Sequence, residues 1–213
     1  MRPFDPDCTL CPRLAGYLAE CRASHPDYHA RPVAPFGDPQ ARLLIVGLAP
    51  GFHGANRTGR PFTGDHAGIL LYRTLHELGF ASRAESVSRD DGLTLNDCRI
   101  ANAVNCVPPG NKPLPLEVQT CNVYLQAEVA RVPAGGIILA LGKIAHDAVL
   151  LALDRARSKH GFAHGALHEL PDGRRLLDSY HCSRYNTQTG RLTSAMFRTV
   201  VRRARRSLEK SQR

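Results

Sequence analysis

The 213-residue chain carries 28 Lys and Arg against 19 Asp and Glu, a formal net charge of +9, with 43% hydrophobic and 22% charged residues. This composition excludes disorder, collagen and coiled coil, and it suits one globular domain over 1–213, long enough to bury its own core. No apolar run approaches the roughly 20 residues that cross a bilayer, and the opening MRPFDPDCTLC holds no hydrophobic signal core, so the reading is a cytoplasmic protein without a membrane partner.

The first predicted element is a helix with Leu10, Leu14, Leu18 and Cys21 on its apolar face. Residues 42–48 (RLLIVGL) form a short continuous apolar run ending in glycine, as in a strand buried on both faces. A long polar loop follows. Residues 67–78 (AGILLYRTLHEL) place apolar side chains at helical spacing, with Asp65 near the start and Gly79 as the stop. A strand is predicted over 99–104, a helix over 115–132 opened by Pro115 and Glu117, a strand over 136–141 (GIILAL) and a helix over 143–153. Residues 167–170 and 175–180, joined by Pro171-Asp172-Gly173-Arg174, read as strand, turn and strand, and a last helix spans 192–208. Alternating strands and helices imply a parallel sheet covered on both faces. Its ligands belong in the crevice at the strand carboxyl ends, which directs attention to 49–65, 102–113, Gly142 and 181–191.

Seven cysteines in a reducing compartment point to metal, cluster or catalytic chemistry before a disulfide framework. Cys8 and Cys11 form C-x2-C, and Cys106 and Cys121 form a second pair with fourteen residues between them. Four thiolates suit either Zn²⁺ or an iron–sulfur cluster, and spacing alone does not choose. The wide second pair and its proline-rich connection favour a bulky cofactor. Cys21 and Cys98 read as small buried hydrophobes. At the C-terminus Arg198, Arg202, Arg203, Arg205, Arg206, Lys210 and Arg213 crowd together against Glu209 alone, either as a solvated helix face or as a phosphate-binding one.

The loop GLAPGFHGANRTGRPFTGD (47–65) holds five glycines and two prolines, so its backbone can approach a ligand closely. Gly54 to Gly59 has phosphate-loop spacing, but Arg60-Pro61 stands where Lys and Ser/Thr would be required, which argues against a nucleoside triphosphatase. Its polar candidates are His53, Asn56 and Asp65. Phe62, between proline and glycine, offers an aromatic face to a planar ligand, or else anchors the loop in the core.

These residues resemble the iron–sulfur uracil-DNA glycosylases, and within them the family 5 branch. The stretch 47–65 resembles the first active-site motif, NAVNCVPPGNKPLPLEVQTC (102–121) the strand and cluster loop, and HCSRYNTQTGRLT (181–193) the second motif; with CTLCPRL at 8–14 the likeness covers nearly the whole chain. The resemblance implies a three-layer α/β/α sandwich with a central, mainly four-stranded parallel sheet. It further implies a [4Fe-4S] cluster on Cys8, Cys11, Cys106 and Cys121, and a monomer acting on DNA that contains uracil or other deaminated bases.

Under that resemblance the chemistry is base flipping followed by hydrolysis of the N-glycosidic bond, with excision of uracil in base-excision repair. Phe62 would stack on the extruded base. Asn102 would read uracil N3 and O4 with its amide and reject cytosine, against the alternative of an ordinary strand-end asparagine. His181 would donate, as neutral imidazole, to O2 as negative charge develops. Water activation falls to Asp65, whose competing role is to cap a helix, with Asn56 as second candidate. Gly51 leaves room for xanthine, hypoxanthine or mismatched thymine, and His53 borders the same loop. The segment 183–186 would enter the minor groove, with Tyr185 there and Arg184 and Arg191 near phosphates. Cys182 stands where the family usually has proline. The other readings are a non-hydrolytic iron–sulfur module that binds damaged DNA, and a redox sensor.

Overall fold

The computed structural model describes residues 2–210. In chain order, α1 (Pro12–Ser24), β1 (Phe36–Gly37), β2 (Leu43–Gly47), α2 (Ala55–Thr58), α3 (His66–Glu77) and β3 (Cys98–Asn102) form the first half. The second half is α4 (Pro115–Arg131), β4 (Ile137–Leu141), α5 (Lys143–Ala152), β5 (Leu167–Glu169), β6 (Arg175–Ser179), α6 (Arg184–Gln188) and α7 (Ser194–Lys210).

One six-stranded sheet runs in the order β1-β3-β2-β4-β6-β5. The four central strands are parallel, and β1 and β5 are antiparallel edges. Alternation along each central strand divides the core. Leu43, Ile45, Ile100, Leu139 and Leu177 face α3 and α7, whereas Leu44, Val46, Ala101, Ile138 and Leu176 face α4 and α5. Burial on both faces explains why these strands read as continuous apolar runs. The three layers and the parallel core agree with expectation. β1 was not foreseen, because two residues carry no periodic signal.

α1 lies outside this sandwich and packs Leu14, Leu18 and Cys21 against Val104, Val107 and Tyr124, in a third small core that holds the cysteine pairs. Leu10 does not join that face: it precedes the helix and is exposed. The guanidinium of Arg13 donates twice to Glu117, at 2.7 Å each, and Glu117 also accepts from the Leu114 N–H; this fastens α1 to the start of α4.

The basic face of α7 is largely committed to the protein. Arg198 pairs with Glu77, Arg203 donates to the Gly165 carbonyl, and Arg205 donates to Leu78 O and Glu209 while lying over the Phe80 ring. Arg202 and Arg206 are exposed, and Arg213 lies outside the described residues. Among the described residues no helix is long and apolar enough to cross a membrane.

Candidate active site

Gly47 and Asn102 are register partners at the carboxyl ends of β2 and β3. His181 follows the end of β6. These ends converge on a cavity of about 460 Å³ whose lining includes Gly51, Phe62, Asp65, Asn102, His181 and Arg184. The topology places it correctly: the chain leaves β2 toward β3 and later resumes on the other side at β4, and ligands of open α/β sheets bind at such a reversal.

Phe62 is held in an unfavourable backbone conformation, φ +55°, which costs of order 1–3 kcal/mol for a non-glycine residue. Its neighbours over-determine it. The Tyr72 hydroxyl donates to Pro61 O at 2.7 Å. The buried Arg60 guanidinium donates to Asp91, Ser86 and the Arg89 carbonyl, and it covers the Phe36 ring. Burial opposes ionisation of Asp91, but the Leu93 N–H and Arg60 outweigh it and hold the carboxyl well below the usual range. Two glycines complete the clamp. A Cβ on Gly68 would stand 1.8 Å from Phe62 O, and one on Gly47 would stand 2.6 Å from both the Phe62 ring and Asn102 Oδ1. The Phe62 ring is then 6.0 Å from the His181 ring, with the planes 29° apart.

The polar groups of the cavity are left available. Among the described residues neither the Asn102 amide nor the His181 ring has a hydrogen-bond partner. Burial pushes the His181 pKa down to about 4, so the ring is neutral at physiological pH. Asp65 both caps and lines. Its Oδ1 accepts the Gly68 N–H at 3.0 Å as the N-cap of α3, while Oδ2 is turned to Gly54 and Gly51 on the cavity side. Burial raises its pKa, against the N–H groups of Gly68 and Ala67.

Two expected site residues stand elsewhere. Asn56 is fully buried in α2 and absent from the lining; its Nδ2 donates to Phe52 O at 3.4 Å, and Oδ1 has no partner among the described residues. The cause is the turn at Gly54, which rotates α2 so that Asn56 faces Cys21 on α1. His53 is exposed, bonds the Tyr28 hydroxyl at 2.8 Å and packs edge-on against Phe52. In the segment 183–186, Ser183 Oγ accepts the Asn186 N–H and starts α6, so Arg184 and the exposed Tyr185 project from its first turn. Arg191 lies over the Tyr180 ring, 4.7 Å from its centroid. His66, which no motif marked, and Asn111, within the 102–121 stretch but given no role there, also line the cavity. His66 bonds Thr187 at 2.9 Å and joins α3 to α6 across the rim, and Asn111 reaches the cavity from a left-handed turn at φ +57°.

A family model, the uracil DNA glycosylase superfamily, matches residues 34–205. The chain belongs to that superfamily. The type-5 uracil-DNA glycosylase of Thermus thermophilus is 50% identical to it over 204 residues, spanning 93% of both chains. That of Mycobacterium tuberculosis is 45% identical over 208 residues, covering 93% of this chain and 77% of the relative. That of Pyrobaculum aerophilum is 42% identical over 204 residues, covering 93% and 88%. In this member of the uracil DNA glycosylase superfamily the matched segment contains the whole cavity but begins after Cys8 and Cys11. Those two cysteines meet Cys106 and Cys121 around a small cavity beneath α1.

Proposed function

We propose that this protein is a monofunctional uracil-DNA glycosylase of base-excision repair. It hydrolyses the N-glycosidic bond of uracil flipped out of DNA and leaves an abasic site. The observation that carries this reading is the convergence of Phe62, Asn102 and His181 on one cavity, with the two rings facing each other at 6.0 Å.

Phe62, fixed by its clamp, supplies a stacking face for the extruded base. Asn102, with its amide uncommitted, accepts from uracil N3–H and donates to O4; cytosine presents the opposite pattern and would leave buried polar atoms unpaired. As the glycosidic bond lengthens, the sugar becomes cationic and the base anionic. His181 donates to O2 at that stage. Because it is neutral, it does so as a fixed dipole, with no proton transfer needed to reach the anion. Asp65 Oδ2 faces the same cavity and, ionised, orients the attacking water and opposes the sugar cation. Gly51 carries no side chain where a Cβ would stand 3.6 Å from Asp65 Oδ2, and so leaves room for larger or substituted bases such as xanthine, hypoxanthine or mismatched thymine. Arg184 at the rim and Tyr185 on α6 meet the flanking DNA, with Arg191 behind them.

Cys8, Cys11, Cys106 and Cys121 hold a [4Fe-4S] cluster in this reading. The donor set fits. Burial raises the Cys106 thiol, with added repulsion from Cys121, Cys8 and Cys11, and burial pushes Cys121 up to about 12, so thiolates at these two positions call for a cation beside them. Asn105 N–H already donates to Cys121 Sγ at 3.3 Å. When bound, the cluster ties α1 to the loop that follows Asn102.

The test is abasic-site formation on duplexes carrying a single uracil, xanthine, hypoxanthine or mismatched thymine. Excision of uracil is expected. Binding without strand scission after alkali would instead support the non-hydrolytic module.

A further inference from the structure

Away from the cavity, a histidine-rich stretch, His160-x3-His164-x3-His168, brings imidazoles onto one edge of the sheet. His168 lies on β5, Asp178 on the neighbouring β6 two residues beyond Leu176, the register partner of His168, and His146 on α5. Their ligand atoms all lie within 4.8 Å of one another, and His146 and Asp178 are almost wholly buried.

His146 Nε2 faces the His160 carbonyl at 2.9 Å, which fixes a hydrogen on that nitrogen. The neutral ring therefore turns the Nδ1 lone pair onto Asp178 Oδ1, only 2.7 Å away. Two acceptors at that separation need a positive species between them, a proton or a metal ion. In the metal-free protein burial works against an imidazolium here, but the hydrogen bond and charge of Asp178 outweigh it and raise the His146 pKa. The second carboxylate oxygen, Oδ2, stands 3.3 Å from His168 Nε2.

We infer that His146 Nδ1, His168 Nε2 and Asp178 form a structural binding site for a divalent transition metal of the zinc class. Two imidazoles and one carboxylate suit zinc and its neighbours better than magnesium or calcium, which prefer oxygen. Tetrahedral zinc with bonds of about 2.0–2.1 Å sets its ligand atoms about 3.3 Å apart. The present contacts reach different oxygens of Asp178, His168 Nε2 to Oδ2 at 3.3 Å and His146 Nδ1 to Oδ1 at 2.7 Å, so a tetrahedral ion requires the carboxylate to turn one oxygen toward both imidazoles. The His160 carbonyl is the outer-shell acceptor that metal-ligating histidines usually have. The fourth position opens to solvent beside His168, which is 16% exposed, with the His160 ring centroid 5.6 Å from that of His168. Such an ion would join α5, β5 and β6 three residues before His181.

The test uses the purified holoprotein with its iron content measured, so that the cysteine site is accounted for. Zn²⁺ titration by calorimetry should give one site per chain and raise the melting temperature. Co²⁺ should give d–d bands of a nitrogen–oxygen site without the intense near-ultraviolet thiolate charge transfer. His168→Gln, on an edge strand, should weaken Zn²⁺ binding by at least the roughly 10- to 100-fold that loss of even an outer-shell partner costs. His164→Gln should bind as the parent does, because His164 faces the Tyr180 N–H and not Asp178. Absence of stoichiometric binding, thiolate bands with Co²⁺, or equal loss in both variants would overturn the site.

Discussion

His181 is the residue whose chemistry depends most on its surroundings. Its pKa of about 4 makes it neutral from pH 5 upward, so uracil excision should show no inflection near the ordinary histidine value of about 6.5. The same shift has a stability consequence. The unfolded chain takes up the proton first, so stability falls as pH drops from about 6.5 toward 4; chemical denaturation at pH 7 and pH 5 would register this. Asp65 behaves in the opposite sense for catalysis. Its raised pKa means the ionised form is lost as pH falls, at a pH above the ordinary aspartate range, and Asp65→Asn should abolish that acidic limb of the rate profile. The variant also separates the two roles of this residue. Asparagine caps helices about as well as aspartate, so the melting temperature should hold, whereas single-turnover excision should fall by roughly 10²–10⁴. A fall in stability with unchanged excision would leave Asp65 as a cap alone. The cap was legible from its place before a helix, and Oδ2 is left on the cavity side for the catalytic role proposed. Asn56 and His53 were not separable from it by sequence, since only the turn at Gly54 decides which side chains of the loop face inward.

Among elements, the clamp on Phe62 unites the 47–65 loop, α3 and the 84–92 segment. Gly68→Ala would drive a methyl group into Phe62 O, and because that contact is to backbone it cannot be relieved by a rotamer change. Overpacking of this kind costs about 1–3 kcal/mol, and excision should suffer more than stability, because the ring loses its pose opposite His181. Denaturant midpoints and excision rates measured side by side would separate the two effects. The long helices and the buried strands were readable because periodicity over ten or more residues, or an apolar run, reports burial directly. β1, α2 and α6 were not: elements of two to five residues exist through their tertiary contacts. Within 183–186 the Ser183 cap that starts α6 is a local signal. His66 left no signal, because its place depends on Thr187 far along the chain, and Asn111 lay within the 102–113 segment but was not singled out, because its place depends on a left-handed turn.

At the scale of the whole molecule, net charge alone does not locate a DNA surface. Much of the basic tail is bonded internally on α7, while Arg184 borders the cavity, and Arg57 and Arg73 line an adjoining groove of about 600 Å³ that shares Phe62, Asp65 and His66 with it. Arg184→Ala should therefore reduce the slope of log affinity against log salt by about 1, and Arg203→Ala should leave it unchanged. The α/β/α layering and the convergence of strand ends were legible in the alternation of elements. The His146–His168–Asp178 cluster was not, since its members lie on three elements and each reads singly as an ordinary histidine or strand aspartate. The most direct measurement of the central claim is single-turnover release of uracil from duplex DNA by the parent protein and by His181→Ala, with DNA affinity measured in parallel. The account predicts excision by the parent and a loss of roughly 10²–10³ in rate at unchanged affinity in the variant. Excision by His181→Ala at the parental rate, or no excision by either protein, would contradict it.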